Sequence, residues 1–141
     1  MAFTGNYSCN VFKTGLMNGT YNFTSGTFKI ALYTNAATLD ATTTAYTATG
    51  EASGGHYAAG GQTLTIAQSP TVGSSGTIAY ISFNNAVWTG AITARGALIY
   101  LSGSGNPAVC VLDFGNDKSS SSTFTVQFPA ITNTSAIIRI S

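Results

Sequence analysis

Charge is what this sequence has least of. Five basic residues, four acidic residues and one histidine in 141 positions give a charged content of 6%, against about a quarter in an average soluble protein. The polar surface must therefore be made of Ser, Thr, Asn and Gly. These small groups desolvate at little cost and fit closely against a neighbour, where Lys and Glu would hold molecules apart. The five cations, Lys13, Lys29, Arg95, Lys118 and Arg139, are scattered along the chain and leave a formal net charge of +1. No clustered positive field of the kind nucleic-acid binding uses is present, so no contact with DNA or RNA is expected.

Long apolar runs are missing as well. No window approaches the ~18 residues of a membrane span, and the stretch from Met1 to Asn10 has no basic region followed by an apolar one, which predicts a chain neither exported nor embedded in a membrane. There are two cysteines. Cys110 sits among Val109, Val111 and Leu112, where a buried thiol packs like alanine, and the missing export signal argues against a disulfide with Cys9.

The titratable groups are equally sparse: Asp40, Glu51, Asp113, Asp117 and His56. Acid–base catalysis needs paired groups of shifted pKa, and no such pair is evident. Asp113 and Asp117 flank Phe114-Gly115-Asn116, yet the stretch lacks the further carboxylates and closing glutamate of a calcium loop. It also lacks the other elements of a kinase. The simpler expectation is that Asp113 ends a strand and Asp117 pairs with Lys118 or the turn backbone. His56, in Gly54-Gly55-His56-Tyr57, has no second imidazole or cysteine pair to share a metal with, and reads as a surface loop residue. No Gly-x-Ser-x-Gly elbow accompanies the many serines. Asn6, Asn18, Asn22 and Asn133 begin Asn-x-Ser/Thr triplets of the number that chance supplies in so Thr- and Ser-rich a chain. Trp88 reads as a buried plug in preference to a sugar-stacking platform. No catalytic residue, metal or cofactor is expected.

What the chain does have is 44% hydrophobic residues arranged in short runs. Val11, Phe12, Leu16 and Met17 suit a short helix over Asn10 to Asn18, ended by Asn18-Gly19. Strand character follows in Phe28 to Thr34, Thr63 to Ala67, Thr77 to Phe83, Gly96 to Leu101, Ala108 to Phe114, Thr123 to Phe128 and Ala136 to Ile140. Phe124, Val126 and Phe128 alternate with Thr123, Thr125 and Gln127, the pattern of a half-buried strand. Ala97 to Leu101 and Ala108 to Leu112 are apolar on both faces, which marks central strands. The turn-forming Ser102-Gly103-Ser104-Gly105-Asn106-Pro107 joins them as a hairpin, and antiparallel pairing around it brings Arg95 near Asp113. Asn116 to Ser122 reads as an exposed loop.

The expected fold is all-β, an antiparallel β-sandwich or jelly roll with a short N-terminal helix or arm. Residues 1–24 form the arm and 25–141 a single domain with a long loop at 35–62. The core is expected from Phe28, Ile30, Leu32, Leu64, Ile66, Ile81, Phe83, Ile99, Leu101, Val109, Val111, Phe124, Val126 and Phe128. The Ala/Thr/Gly-rich segment between Asn35 and Gln62 is longer than compact domains ordinarily tolerate without a purpose. With the N-terminal segment, it is expected to order only against a partner. Phe3, Tyr7, Tyr46 and Tyr57 would serve as its anchoring interface residues.

The runs Phe28 to Thr34, Ile92 to Tyr100 and Val111 to Gly115, with the ending Phe124 to Pro129 and Ala136 to Ile140, resemble small virion proteins of tailed bacteriophages. The resemblance spans most of the chain from Phe12 onward. It implies a β-rich structural part of the particle, assembled in the bacterial host cytoplasm, with no active site to carry over. A capsid decoration or cement protein bridging major capsid subunits, itself a homo-oligomer, is the first expectation. A tail, adaptor or fibre-associated virion protein is the second. A carbohydrate-binding β-sandwich using Tyr46, Tyr57 and Trp88 is the third, and it would need two or three exposed aromatics on one rim.

Overall fold

The alternation of large apolar and small polar residues folds, in a computed structural model, into antiparallel sheets around one core. The structure describes residues 3–74 and 76–141, so the first two residues of the expected arm lie outside it. The elements in chain order are β1 (Tyr7–Ser8), α1 (Asn10–Asn18), β2 (Phe28–Tyr33), β3 (Gln62–Thr63), β4 (Ile66–Val72), β5 (Ala79–Phe83), β6 (Ala86–Thr89), β7 (Thr93–Leu101), β8 (Ala108–Ser119), β9 (Thr123–Val126) and β10 (Ile138–Ile140). They form a five-stranded sheet in the order β1-β8-β7-β2-β3, a three-stranded sheet β10-β5-β4 and a two-stranded sheet β6-β9. Every strand pair is antiparallel, and the architecture is sandwich-like.

The two runs that are apolar on both faces occupy the middle of the large sheet. β7 and β8 pair as a hairpin, with Leu98 opposite Val111 and Ile99 opposite Cys110. β2 covers the other side of β7, with Ile30 opposite Ile99. Leu98, Ile99, Val109, Val111, Ile30 and Leu32 are all fully buried. Strands enclosed by neighbours on both sides and covered on both faces have no place for a polar side chain, hence the unbroken apolar pattern. At the hairpin tip Asn106 adopts a φ of 44°, a conformation asparagine tolerates better than most residues, and its Oδ1 accepts the Gly103 N–H at 3.1 Å.

The sheets are joined by aromatic packing. Phe83 of the three-stranded sheet lies 6.2 Å from Phe28 of the large sheet and 5.8 Å from Phe128. In the two-stranded sheet Trp88 meets Phe124 edge-on at 6.4 Å, and Phe124 in turn approaches Phe114 of β8 at 6.2 Å. Trp88 is buried, in the plug role expected of it. Of the fourteen residues expected in the core, Ile66 and Leu101 are only partly buried and the other twelve are buried.

The helix falls on Asn10–Asn18 as its pattern predicts and closes on Gly19, a left-handed cap whose N–H bonds to the Gly15 carbonyl. Phe12 is buried, whereas Met17 is 85% exposed, so the apolar face is narrower than the four residues implied. Two strand assignments need correction, and two short strands fall outside the expected set. Thr63 to Ala67 is not one strand: Gln62–Thr63 pairs with β2, Leu64 donates its N–H to the Phe28 carbonyl, and the chain then crosses to pair Ile66 with Phe83 in the other sheet. The four-residue strand β6 and the two-residue strand β1 are too short to stand out as periodic runs. Asp113 does not end its strand, because β8 continues to Ser119 and takes in part of what reads as a loop. Between the pairs Gly96↔Asp113 and Ala94↔Lys118 the register shifts. β8 carries the surplus residues there as a bulge, with Asp113 Oδ1 accepting the Gly115 N–H at 2.8 Å.

The expected meeting of Arg95 and Asp113 is present, with Nε to Oδ1 at 3.0 Å and a second bond from Nη2 to Oδ2 at 3.4 Å. Asn6 Oδ1 accepts the Asp113 N–H at 2.7 Å, tying the N-terminal segment to the same point.

The N-terminal segment departs most from expectation. Phe3, Cys9, Phe12, Tyr21 and Phe23 are all buried in the same core as the strands. Phe12 packs edge-on against Tyr21 at 4.9 Å, Phe23 stacks on Phe28 at 4.4 Å, and the Tyr21 hydroxyl donates to the Ala108 carbonyl at 2.6 Å. These contacts place the segment's aromatic rings inside the core of this chain.

Phe124→Ala and Phe128→Ala, each removing a buried ring, are expected to cost about 3 to 5 kcal/mol apiece. Urea titration followed by Trp88 fluorescence measures this, and a loss below about 1 kcal/mol at both positions would place the rings outside the core.

Candidate functional site

The segment between Asn35 and Gln62 brings together a dense set of polar side chains, and Glu51 is its centre. Backbone bonds lay the segment along β2: Thr34 donates to the Gly50 carbonyl at 2.8 Å and Ala52 to the Leu32 carbonyl at 2.8 Å, with a bridge between Tyr33 and Glu51. Further on, Ala45 bridges to Pro107. Ala37, Leu39 and Ala52 are buried, so the segment adds small side chains to the core besides its tyrosines.

This path delivers the Glu51 carboxylate to three donors. Oε1 accepts the Tyr46 hydroxyl at 2.6 Å, and Oε2 accepts the Tyr57 hydroxyl at 2.6 Å together with the Gly60 N–H at 2.7 Å. Such O–H···O⁻ bonds are about twice as strong as neutral ones. The Tyr57 oxygen also accepts the Leu32 N–H of β2 at 2.9 Å, and Tyr100 of β7 donates to the Gly60 carbonyl at 2.7 Å. Tyr33 donates to the Thr47 carbonyl at 2.7 Å, and Tyr46 stacks on Tyr100 with ring centroids 5.0 Å apart. Gly61 is required by this close approach. It has φ +76°, and a Cβ there would lie 1.8 Å from the Ile30 carbonyl oxygen.

The cluster fastens; it does not activate. Burial, reinforced by the hydrogen bond to Glu51, pushes the Tyr46 hydroxyl up to about 12 and raises Tyr57 as well. Tyr33 and Tyr100 are raised chiefly by burial. Phenols shifted in this direction stay protonated and donating at neutral pH. Both carboxylate oxygens are already engaged.

Cys9 and Cys110 are free and buried, and burial pushes the Cys9 thiol up to about 11 and Cys110 higher than its ordinary value. Among the described residues no three His, Cys, Asp or Glu side chains converge to hold a metal ion, and no helix is long and apolar enough to cross a membrane. His56 is exposed, with Nδ1 2.6 Å from the Thr89 hydroxyl. Asp117 is exposed in the outer part of β8.

Of the four residues expected to anchor a partner, Phe3 is only 2% exposed and lies over Gly96, where a Cβ would meet its ring at 2.5 Å. Tyr7 is half-buried in β1, its hydroxyl 2.6 Å from that of Thr4. Tyr46 and Tyr57 are held by Glu51. Tyr57 also packs at 5.9 Å against the buried Trp88, so these rings do not form an exposed rim. The outward apolar side chains are instead Met17, Val72, Val87, Ile131 and Ile140. Met17 was the member of the helical pattern furthest from the Phe12 position around the turn, and Ile140 the last of an alternating run; both signals are visible only once the buried face is known.

No protein-family model matches the chain, and no curated protein or solved structure does either.

Removing the fastening is expected to loosen the whole segment. Tyr57→Phe strips one bond from Glu51 and leaves the Leu32 amide without its acceptor, at a cost of about 1 to 3 kcal/mol. Glu51→Gln, which replaces an acceptor with a donor facing Tyr57 and Gly60, is expected to fall in the same range. Amide exchange between Asn35 and Gln62 measures both; protection unchanged from the parent protein would show that the cluster is not what holds the segment.

The pH dependence carries two signs. Raised tyrosines favour the folded state fully below the unfolded value near 10, and that contribution is lost as pH climbs towards the folded value, about 12 for Tyr46. Asp113 is held below the usual carboxylate range by its bonds from Arg95, against opposing burial. Its contribution is therefore present above the unfolded value near 4 and lost as pH falls below it. Melting temperature is expected to decline above pH 10, less steeply in Tyr46→Phe. An alkaline limb identical in that variant would exclude Tyr46 as a contributor.

Proposed function

We propose that this chain is a structural protein of a virus particle, and within that class a capsid decoration or cement protein of a tailed bacteriophage that bridges major capsid subunits. The observation that carries the reading is the nearly uncharged surface laid over a rigid antiparallel β fold. Of nine charged side chains, Arg95 and Asp113 are spent on each other and Glu51 on its tyrosines. What remains outside is chiefly Thr, Ser, Asn and Gly, with scattered exposed apolar side chains at Met17, Val72, Val87, Ile131 and Ile140. A surface of this kind gives little protection against association and costs little to desolvate, which favours a protein that works packed against neighbours.

The likeness of the β2, β7, β8 and C-terminal runs to small phage virion proteins supports the same class. The internal fastening of residues 35–62 changes how the bridging is done. The contact is made by sheet edges, α1 and loop surfaces of a preordered subunit. An arm that orders on docking is not required, and preorganisation spares the entropy such an arm would lose.

The test is the copy number of this chain per purified particle, measured by quantitative mass spectrometry against the major capsid protein. Decoration predicts a high number set by the symmetry of the shell. A few copies per particle would transfer the protein to the tail or its adaptor, and none would remove it from the virion.

A further inference from the structure

A cleft of about 460 Å³ lies between α1 and the C-terminal strand, walled by Phe12, Lys13 and Leu16 on one side and by the consecutive residues 137–141 on the other. A strand that lined a cleft with one face would offer every second residue. Ile138, Arg139 and Ile140 all line this one, so β10 meets it edge-on. β10 is the outer strand of its sheet, paired with β5 on one side alone. The free backbone groups of such an edge are a template for another extended chain.

The charged side chains of the lining are cationic. Two of the chain's five cations, Lys13 and Arg139, fall in this one cleft, and none of the Asp or Glu side chains does. Arg139 donates to the Thr134 carbonyl, and the one salt bridge among the described residues is made elsewhere, by Arg95 and Asp113. Beside it lies an apolar recess of about 180 Å³ between Phe12, Leu16, Phe23, Pro70, Ile138 and Ile140. Ile140, which lines both the cleft and the recess, is 51% exposed.

We infer that this cleft takes an extended segment of a partner protein, which adds as a strand to the edge of β10, seats an apolar side chain in the recess and sets a carboxylate between Lys13 and Arg139. A second copy of this chain is a poor source of that segment. Asp113 is paired, Glu51 is enclosed, Asp40 closes a turn on Thr42 and Asp117 is followed directly by Lys118. The inference stands apart from the assignment to a virus particle, since it rests on the edge and its charge alone.

The probe is a library of random twelve-residue peptides selected on the intact protein alone, the enriched peptides then being titrated against Lys13→Glu, with Lys13→Gln as the milder variant should Glu unfold the chain. Enriched peptides are expected to alternate apolar residues and to carry at least one Asp or Glu. Their affinity should fall tenfold or more on Lys13→Glu and on placing proline at the centre of the peptide. Amide exchange should slow at Ile138 to Ile140. Four results would each overturn the inference: no enrichment, enriched peptides that are basic or bind the variant equally, protection confined to another edge such as β4, or crosslinks showing a second copy of this chain in the cleft.

Discussion

A single carboxylate decides whether this fold is complete. The segment that Glu51 holds is made mostly of Ala, Thr and Gly, and it runs for longer than a loop of that composition can order by burial alone. Its path is fixed because one negative charge is brought to the large sheet and met by two phenols and a backbone amide. The phenols are in turn anchored on β2 and against Tyr100 of β7. Each partner depends on the others. Remove the charge, and the tyrosines face one another across a polar gap; remove a tyrosine, and a backbone amide of the central sheet loses its acceptor.

That arrangement explains why the sequence is readable in one half of the fold and opaque in the other. The central hairpin, β2, the helix and the inward face of β9 are written in periodicity, because their positions are decided by which side chains must leave water. Arg95 and Asp113 are legible too, since antiparallel pairing around a short turn puts opposite ends of a hairpin side by side. The Glu51 cluster is written nowhere in the local pattern. Tyr46, Glu51 and Tyr57 stand at spacings that correspond to no helix or strand, and the partners at Gly60, Leu32 and Tyr100 come from elements that meet only in three dimensions. Composition marks Tyr46 and Tyr57 as anchoring aromatics without showing that both hydroxyls bond to a charge five or six residues away in the same chain.

The N-terminal segment is opaque for a related reason. Its aromatics, Phe3, Phe12, Tyr21 and Phe23, taken together stand at spacings that match neither a helix nor a strand face, so no run announces them as core. What collects them is the β7–β8 hairpin, far downstream in sequence, together with Phe28 of the nearby β2. Sparse aromatics in a Thr- and Asn-rich context mark either an interface or a core contribution, and only the surroundings distinguish the two.

The pairing of β1 with β8 also sets an order of events for a chain emerging from the ribosome. Tyr7 and Ser8 find their strand partners at Val111 and Cys110, and Asn6 finds the amide of Asp113. Residues 6–8 must therefore wait, unpaired, until β8 about a hundred residues later has been synthesised. Folding that depends on contacts so distant in sequence is slow, because the chain must close a large loop before the contacts repay it. Until then the β8 edge and the Phe3 ring stand open to neighbouring chains being made at the same time. β1 is thus among the last strands to be secured, and its fidelity of assembly rests on how quickly the central hairpin presents its edge.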